Sequence, residues 1–325
     1  MHLLVTGVAG FIGSRVAELL LEEGHEVFGV DNLCPAYDLR LKAYRLDRLR
    51  DRPRFDFGHV DIAEREAMST VWSQAAPFDA VINLAARAGV RQSVDDPWVY
   101  VDTNVVGTLN LLELCRRYGV KKFVLASTSS LYGMHNALPF SEEADTDRAL
   151  SPYAASKKGA EALCSPYHHL HGLDISILRY FTVYGPAGRP DMSMFRFTQW
   201  IYEQRPLQLH GDGSQSRDFT YVDDVARGTI LALRPLGLEV INLGGDHPVD
   251  LLTVIGLIEH QAGRKALIER FPMHAADVPA TWANIDKAER LLGWRPEIGL
   301  EEGVTRLCGW YCQNRVWASA IRTSD

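Results

Sequence analysis

No two of the five cysteines form a CxxC pair, and Cys34, Cys115, Cys164, Cys308 and Cys312 match no zinc-ligand spacing. An odd, scattered set argues against a disulfide framework and reads as reduced, mostly structural thiols. Basic residues are not in excess: 34 Lys and Arg against 41 Asp and Glu leave a formal charge of −7. Nucleic-acid phosphates need a basic face, so no nucleic-acid partner is expected. No apolar run suits a membrane span, and Met1-His2-Leu3-Leu4-Val5-Thr6-Gly7 enters a buried-strand pattern without a basic start or a cleavage site. A cytoplasmic chain with no signal peptide and no membrane contact is the expectation.

What is present is 325 residues at 46% apolar composition, enough for a large core in one big domain or two closely joined ones. Through about residue 180, short apolar runs alternate with amphipathic stretches, the α/β pattern of a doubly wound parallel sheet covered by helices on both faces. Strands are predicted at Leu3–Thr6, Glu26–Val30, Phe55–His59, Ala80–Leu84, Lys122–Ala126 and Asp174–Leu178. Helices are predicted near Ile12–Glu23, Arg40–Arg50, Glu64–Ala75, Trp98–Tyr118 and Pro152–His171. After Arg179 the chain grows richer in Pro, Gly and aromatics, which marks a smaller, mixed α/β C-terminal lobe. A helix near Asp224–Leu233 and a strand at Val240–Leu243 return to the sheet. Residues 1–180 and 221–245 are thus assigned to the first domain, and 181–220 and 246–325 to the second. There is no internal repeat and no low-complexity tract.

Thr6-Gly7-Val8-Ala9-Gly10-Phe11-Ile12-Gly13 lies between the first strand and an amphipathic helix. In that setting glycines make the tight turn, let backbone N–H groups approach a pyrophosphate and let helix and strand pack closely. The spacing is GxxGxxG, and alone it is also that of an ordinary βα turn. The second strand ends at Asp31-Asn32, where a carboxylate meets the adenosine ribose hydroxyls and repels a 2′-phosphate, so NAD is expected over NADP. Asp61-Ile62 follows the third strand and is placed either against adenine or as a helix cap.

Tyr153 and Lys157 stand four residues apart, on one face of the helix that begins after Pro152. A free phenol titrates near about 10 and is a poor base at neutral pH. A nearby lysine cation favours the phenolate and makes Tyr153 a usable general base. The hydroxyl run Ser127-Thr128-Ser129-Ser130 ends the fifth strand at the carboxyl edge of the sheet, where open α/β folds bind ligands. His168-His169-Leu170-His171 has no partnering carboxylate or cysteine pattern and reads as a solvated helix end, so no metal is expected.

Together these residues resemble the extended short-chain dehydrogenase/reductases, the NAD-dependent epimerase/dehydratase family on a Rossmann sheet. The likeness extends along essentially the whole chain, to Asp277-Val278-Pro279-Ala280-Thr281-Trp282-Ala283. Three strings are similar to UDP-glucuronate 4-epimerases in particular: residues 83–91 (NLAARAGVR), 179–186 (RYFTVYGP) and 188–192 (GRPDM). The resemblance implies a catalytic set of Thr128, Tyr153 and Lys157. It implies cofactor contacts at Gly7, Gly10, Phe11, Ile12, Gly13, Asp31, Asn32, Asp61, Ile62, Ala85, Ala86, Asn104 and Tyr180, besides Tyr153 and Lys157. The sugar carboxylate would meet Thr182, Ser129, Ser130 and Arg189, whose planar fork suits a carboxylate. Arg91 and Thr128 join the substrate set, with Gln208, His210, Arg217 and Asp277 for the nucleotide.

Related 4,6-dehydratases carry Asp-Glu, and UDP-glucuronate decarboxylases usually a Glu, where this chain has Ser129-Ser130. That leaves epimerisation at carbon 4: Tyr153 takes the hydroxyl proton, hydride passes to NAD⁺, and a 4-keto sugar turns before hydride returns. UDP-glucuronate and UDP-galacturonate would interconvert. UDP-galactose/UDP-glucose 4-epimerase and UDP-glucuronate decarboxylase are the rivals among enzymes, and a non-catalytic NAD-binding sensor the rival outside them. Relatives pair through the helices at Trp98–Tyr118 and Pro152–His171, which implies a homodimer. Three positions depart from the pattern. Arg87 stands where glutamine is usual and adds positive charge near the cofactor or substrate diphosphate; His274 replaces a diphosphate arginine of UDP-galactose epimerases; Pro166 should kink or loosen its helix beyond Lys157.

Overall fold

The computed structural model describes residues 1–273 and 278–323; His274 and Asp277, singled out above, lie outside the described residues. Its first half alternates strand and helix: β1 (His2–Thr6), α1 (Phe11–Glu22), β2 (Glu26–Asp31), α2 (Leu39–Arg50), β3 (Phe55–His59), α3 (Arg65–Ala75) and β4 (Ala80–Asn83). There follow α4 (Gln92–Asp95), α5 (Trp98–Tyr100), a π-helical stretch (Val101–Val106), α6 (Gly107–Tyr118), β5 (Lys122–Thr128), a 3₁₀ turn (Ser129–Tyr132), α7 (Pro152–His171) and β6 (Asp174–Tyr180). The remainder comprises β7 (Thr182–Tyr184), α8 (Ser193–Tyr202), β8 (Pro206–His210), β9 (Ser216–Tyr221), α9 (Val222–Leu231), β10 (Leu238–Leu243) and β11 (Pro248–Asp250). It ends with α10 (Leu251–Ala262), β12 (Leu267–Phe271), α11 (Asp286–Leu292), α12 (Leu300–Gln313) and α13 (Arg315–Ala318).

The main sheet has seven strands in the order β10-β6-β5-β4-β1-β2-β3, and every neighbouring pair is parallel. This is the expected doubly wound Rossmann arrangement. A parallel sheet buried on both faces demands continuous apolar strands, and β5, Lys-Phe-Val-Leu-Ala-Ser-Thr, is buried at every position. Along β1 the side chains alternate between two cores: Leu3 and Val5 pack with α1 and α9 residues, whereas Leu4 packs with Met68, Trp72, Leu111 and Cys164. A third core around Phe195, Trp200, Val254, Leu307 and Tyr311 fills the smaller lobe. That lobe carries a mixed sheet in the order β11-β9-β7 and a parallel pair of β12 and β8.

Three local differences from the sequence reading matter for the site. β5 and β6 run on to Thr128 and Tyr180, which face each other in register, so the hydroxyl run starts inside the sheet. The single helix predicted over Trp98–Tyr118 is interrupted by the π-helical stretch at Val101–Val106, a distortion common at functional sites. It turns the buried Asn104 onto the chain after β4, where its side chain accepts from Arg87 N at 2.9 Å and donates to Arg87 O at 3.0 Å. Finally, α7 runs without a break through Pro166 to His171. Pro166 is solvent-exposed, so the carbonyl it leaves without a helical donor faces water.

Candidate active site

The turn after β1 brings backbone against backbone. Gly7 has φ +68°, and a Cβ there would lie 2.7 Å from Ala85 N; a Cβ on Gly13 would lie 2.2 Å from Gly7 O. Only glycine allows that approach. Gly10 caps α1 without a side-chain hydrogen bond, so the first-turn N–H groups face the crevice. Asp31 ends β2 beside this turn; its Oδ2 accepts from Ala9 N at 3.1 Å and its Oδ1 from Leu33 N at 2.8 Å. A glycine cradle at a free helix N-terminus, with a carboxylate at the end of the second strand, fits the residues that would hold a dinucleotide's pyrophosphate and ribose.

Around this cradle Asn32 donates to Asp61 Oδ2 at 2.6 Å, while Asp61 Oδ1 accepts from Ala63 N in the turn ahead of α3, whose N-cap is Glu64. Ile62 is buried against Gly107. Phe11 is buried in the smaller lobe's core, and the Tyr180 hydroxyl turns to Thr229. Asn104 Nδ2 also donates to Ser156 Oγ at 2.9 Å, which joins the chain after β4 to α7.

Two cations that sequence reasoning missed complete the surroundings. Lys42 Nζ donates to Asp31 Oδ1 at 3.0 Å; burial works most strongly against its charge, but Asp31, Tyr37 and Cys34 together outweigh it and hold the ammonium above its usual pKa. Arg45, 2% exposed, donates to Ala187 O, Gly188 O and Ala9 O, tying the loop that carries Arg189 to the glycine turn. Their only signal in the sequence is that both fall on the face of α2 that buries Leu41, Leu46 and Leu49.

α7 begins cleanly, with Pro152 in its first turn and Ser151 Oγ accepting from Ala154 N at 3.2 Å. This fixes Tyr153 one turn before Lys157. Burial pushes the Tyr153 phenol above its ordinary pKa, while a hydrogen bond with Thr128 and the charge of Arg189 pull it back. Lys157 is not among the groups that lower it. The ammonium donates to Ala126 O at 2.8 Å instead, and burial lowers its pKa to about 8 against the opposing field of Glu161. Thr128 Oγ1 caps the 3₁₀ turn by accepting from Ser130 N and meets Ser130 Oγ, both at 3.1 Å. The hydroxyls of Thr128 and Ser130 and the phenol therefore share the carboxyl end of β5.

Arg189, with its side chain 24% exposed, lies within electrostatic reach of Tyr153 and Tyr100. Its Nε and Nη2 grip Asp191, at 3.1 and 2.5 Å. Burial alone would work against both charges, yet each holds the other ionised. The pair uses the side-on edge of the fork and leaves Nη1 for a further acceptor. The remaining candidates lie in the smaller lobe: Thr182 opposite Phe219 on β7, Gln208 and His210 on β8, and Arg217 on β9, donating to Ser216 O. Arg91 stands at the start of α4. Next to Arg217, the buried Asp218 accepts from Ala283 N at 2.8 Å, and burial pushes its carboxyl up to about 6. At the end of α7, His168 Nδ1 lies 2.9 Å from Leu173 O. Among the described residues no helix is long and apolar enough to cross a membrane.

Fold and site define a dinucleotide-dependent enzyme of the short-chain dehydrogenase/reductase type, and the sequence model of the NAD dependent epimerase/dehydratase family matches residues 3–244. The chain belongs to that family. It is 57% identical over 314 residues to a UDP-glucuronate 4-epimerase of Thermodesulfobacterium geofontis, across 96% of this chain and 97% of that protein. The crystal structure of UDP-glucuronic acid 4-epimerase from Bacillus cereus in complex with UDP-glucuronic acid and NAD superposes with a TM-score of 0.90 at 38% identity, covering 97% of this chain and 100% of that one. A UDP-glucose 4-epimerase from Thermotoga maritima, solved with UDP-glucose, has the same TM-score of 0.90 at 33% identity, with 97% and 100% coverage. The fold thus spans both substrates, and the choice between them rests on side chains.

Proposed function

We propose that this chain interconverts UDP-glucuronate and UDP-galacturonate by NAD-dependent epimerisation at carbon 4. The observation that carries the choice of substrate is Arg189, a guanidinium whose charge reaches Tyr153, with one edge on Asp191 and Nη1 left over for a sugar carboxylate. Ser129, Ser130 and Thr182 supply hydroxyl donors, and the absence of a carboxylate at 129 and 130 removes the acid and base that dehydration would need. NAD, when bound, accepts hydride from carbon 4 and returns it. Tyr153 takes the proton from the hydroxyl at that carbon and Thr128 steers it. Lys157 holds positive charge under the site, and Gly7, Gly10 and Gly13 with Asp31 seat the cofactor. Ala85, Ala86, Asn32, Asp61 and Asn104 shape that seat. On the substrate side Gln208, His210, Arg217 and Asp277 take the nucleotide, and Arg91 joins them in binding the substrate.

The 4-keto sugar is a β-keto acid, and fixing its carboxylate out of line with the carbonyl π system suppresses loss of carbon dioxide. An NMR time course with UDP-glucuronate tests the whole reading: the proton at carbon 4 should invert, giving UDP-galacturonate. A UDP-pentose as main product, or faster turnover of UDP-glucose, would overturn it. Arg189→Gln should raise KM for UDP-glucuronate roughly 10- to 100-fold, the scale of a lost charge-assisted contact, and leave residual turnover of UDP-glucose untouched. Equal losses on both substrates would remove Arg189 from carboxylate recognition.

We assign residues 1–180 and 221–245 to cofactor binding and 181–220 and 246–325 to the sugar nucleotide, with β10 beside β6 in support. We also propose a homodimer. The helical run α5–α6 exposes Trp98, at 76%, with Val101, Val106 and Leu109, and α7 exposes Leu170; large exposed apolar groups on adjacent helices favour a partner face. Light scattering at micromolar concentration should give twice the chain mass, and a monomer would refute the pairing. All five cysteines are free, which suits a reducing compartment, and we place the protein in the cytoplasm.

A further inference from the structure

Among the described residues, one cation at the cofactor crevice has no carboxylate paired with it. Arg87 follows β4, and its backbone N–H and carbonyl are both clamped by the 1%-exposed Asn104. The side chain leaves this fixed base and crosses towards the loop after β2, where Nη1 comes 3.6 Å from Cys34 Sγ, a weak acceptor. The guanidinium Cζ lies over the Tyr100 ring, 6.0 Å from its centroid. Its Nε is buried without a hydrogen-bond partner, and among the described residues no carboxylate pairs with it. A buried cationic donor left unmet is costly, whereas a phosphate oxygen placed there satisfies it with a charge-assisted bond.

The neighbours point to the same ligand. Cys34 Sγ is also 3.8 Å from Lys42 Nζ, which pairs with Asp31. The end of β2 therefore gathers Lys42 and Arg87 near the carboxylates of Asp31 and Asp61; Asp31 is taken by Lys42 and Asp61 by Asn32, which among the described residues leaves the charge of Arg87 unpaired at the place where the glycine turn seats a dinucleotide.

We propose that Arg87 is a phosphate-binding residue of the cofactor pocket, gripping a phosphate of the dinucleotide from the β4 side of the crevice. This rests on the reading of the Gly7–Gly13 crevice as a dinucleotide site. Asn104 is then the positioning residue: it touches Arg87 and not the phosphate, and the π-helical stretch serves to aim it.

Calorimetric titration of the full chain with adenosine, ADP-ribose, 2′-phospho-ADP-ribose and UDP tests it. Arg87→Gln should weaken ADP-ribose roughly 10- to 100-fold, leave adenosine and UDP unchanged, and flatten the salt dependence of ADP-ribose binding; Arg87→Lys should restore part of the loss. A larger loss for 2′-phospho-ADP-ribose than for ADP-ribose would put the contact at a ribose phosphate that NAD lacks and would overturn the proposal. Equal losses extending to adenosine mean that Arg87 only holds the loop, and a loss confined to UDP assigns it to the substrate; either overturns the proposal. So does an Arg87→Gln variant that binds all four like the parent. A parent chain that binds UDP but neither ADP-ribose nor its phosphate would refute the dinucleotide reading itself, a result distinct from the others.

Discussion

Tyr153→Phe is expected to lower kcat about 10²- to 10⁴-fold, the range of a lost general base, while dinucleotide and UDP-glucuronate affinity change little. The phenol sits inside the site with Thr128 and Arg189 as the groups that favour its ionised form, and removing one oxygen leaves the ring and its edge-on neighbour Tyr100 in place. In the parent enzyme the pH profile follows from two opposed groups. Burial keeps the phenol protonated at neutral pH, so kcat should rise with pH as phenolate forms. Lys157 titrates at about 8, below its ordinary value, and loses its charge as pH climbs past that point. The rate should therefore stop rising near pH 8 and fall above it. A flat profile between pH 6 and roughly 9 would separate Tyr153 and Lys157 from the rate-limiting proton transfer.

The main sheet was legible because burial on both faces leaves little freedom in composition: β1, β4 and β5 carry apolar runs at residues 3–5, 80–82 and 123–126. The glycine turn and the Tyr153–Lys157 spacing were legible for the same reason, since local geometry alone requires them. The smaller lobe was not. β12 exposes all five of its residues, Leu-Ile-Glu-Arg-Phe, and presents neither a buried run nor an alternation. The partners of charged groups were also hidden, because they are tertiary. Nothing in the sequence sends the Lys157 ammonium to Ala126 O rather than to the phenol, or sets Asp191 on the side-on edge of Arg189. Arg45 reads as one more surface arginine of α2 until the loop at Ala187 closes over it. The π-helical stretch was not read either, since one wider turn only shifts the phase of the apolar pattern and no residue type marks it.

Glu161→Gln is expected to cost about 3–5 kcal/mol of stability, the penalty for stranding one partner of a buried ion pair. Glu161 continues the face of Tyr153 and Lys157 by one more turn of α7. It takes Arg179 in a bidentate grip, at 3.0 and 2.8 Å, and accepts from Ser127 Oγ at 2.5 Å. Arg179 in turn donates to the Tyr132 hydroxyl, which donates to Asn242 Oδ1. β5, β6, α7 and β10 are thereby bound below the site. The same carboxylate opposes the desolvation of Lys157. Without it the ammonium should lose its proton at a pH lower than about 8, and the alkaline fall in kcat should move to lower pH. Pairing Glu161→Leu with Arg179→Met removes both charges and should recover most of the stability seen in urea unfolding, because no buried charge is left alone. The displaced alkaline limb should persist in that double variant, since its cause is the missing field at Lys157. If stability and pH profile recovered together, Glu161 would act on the site only by holding the fold.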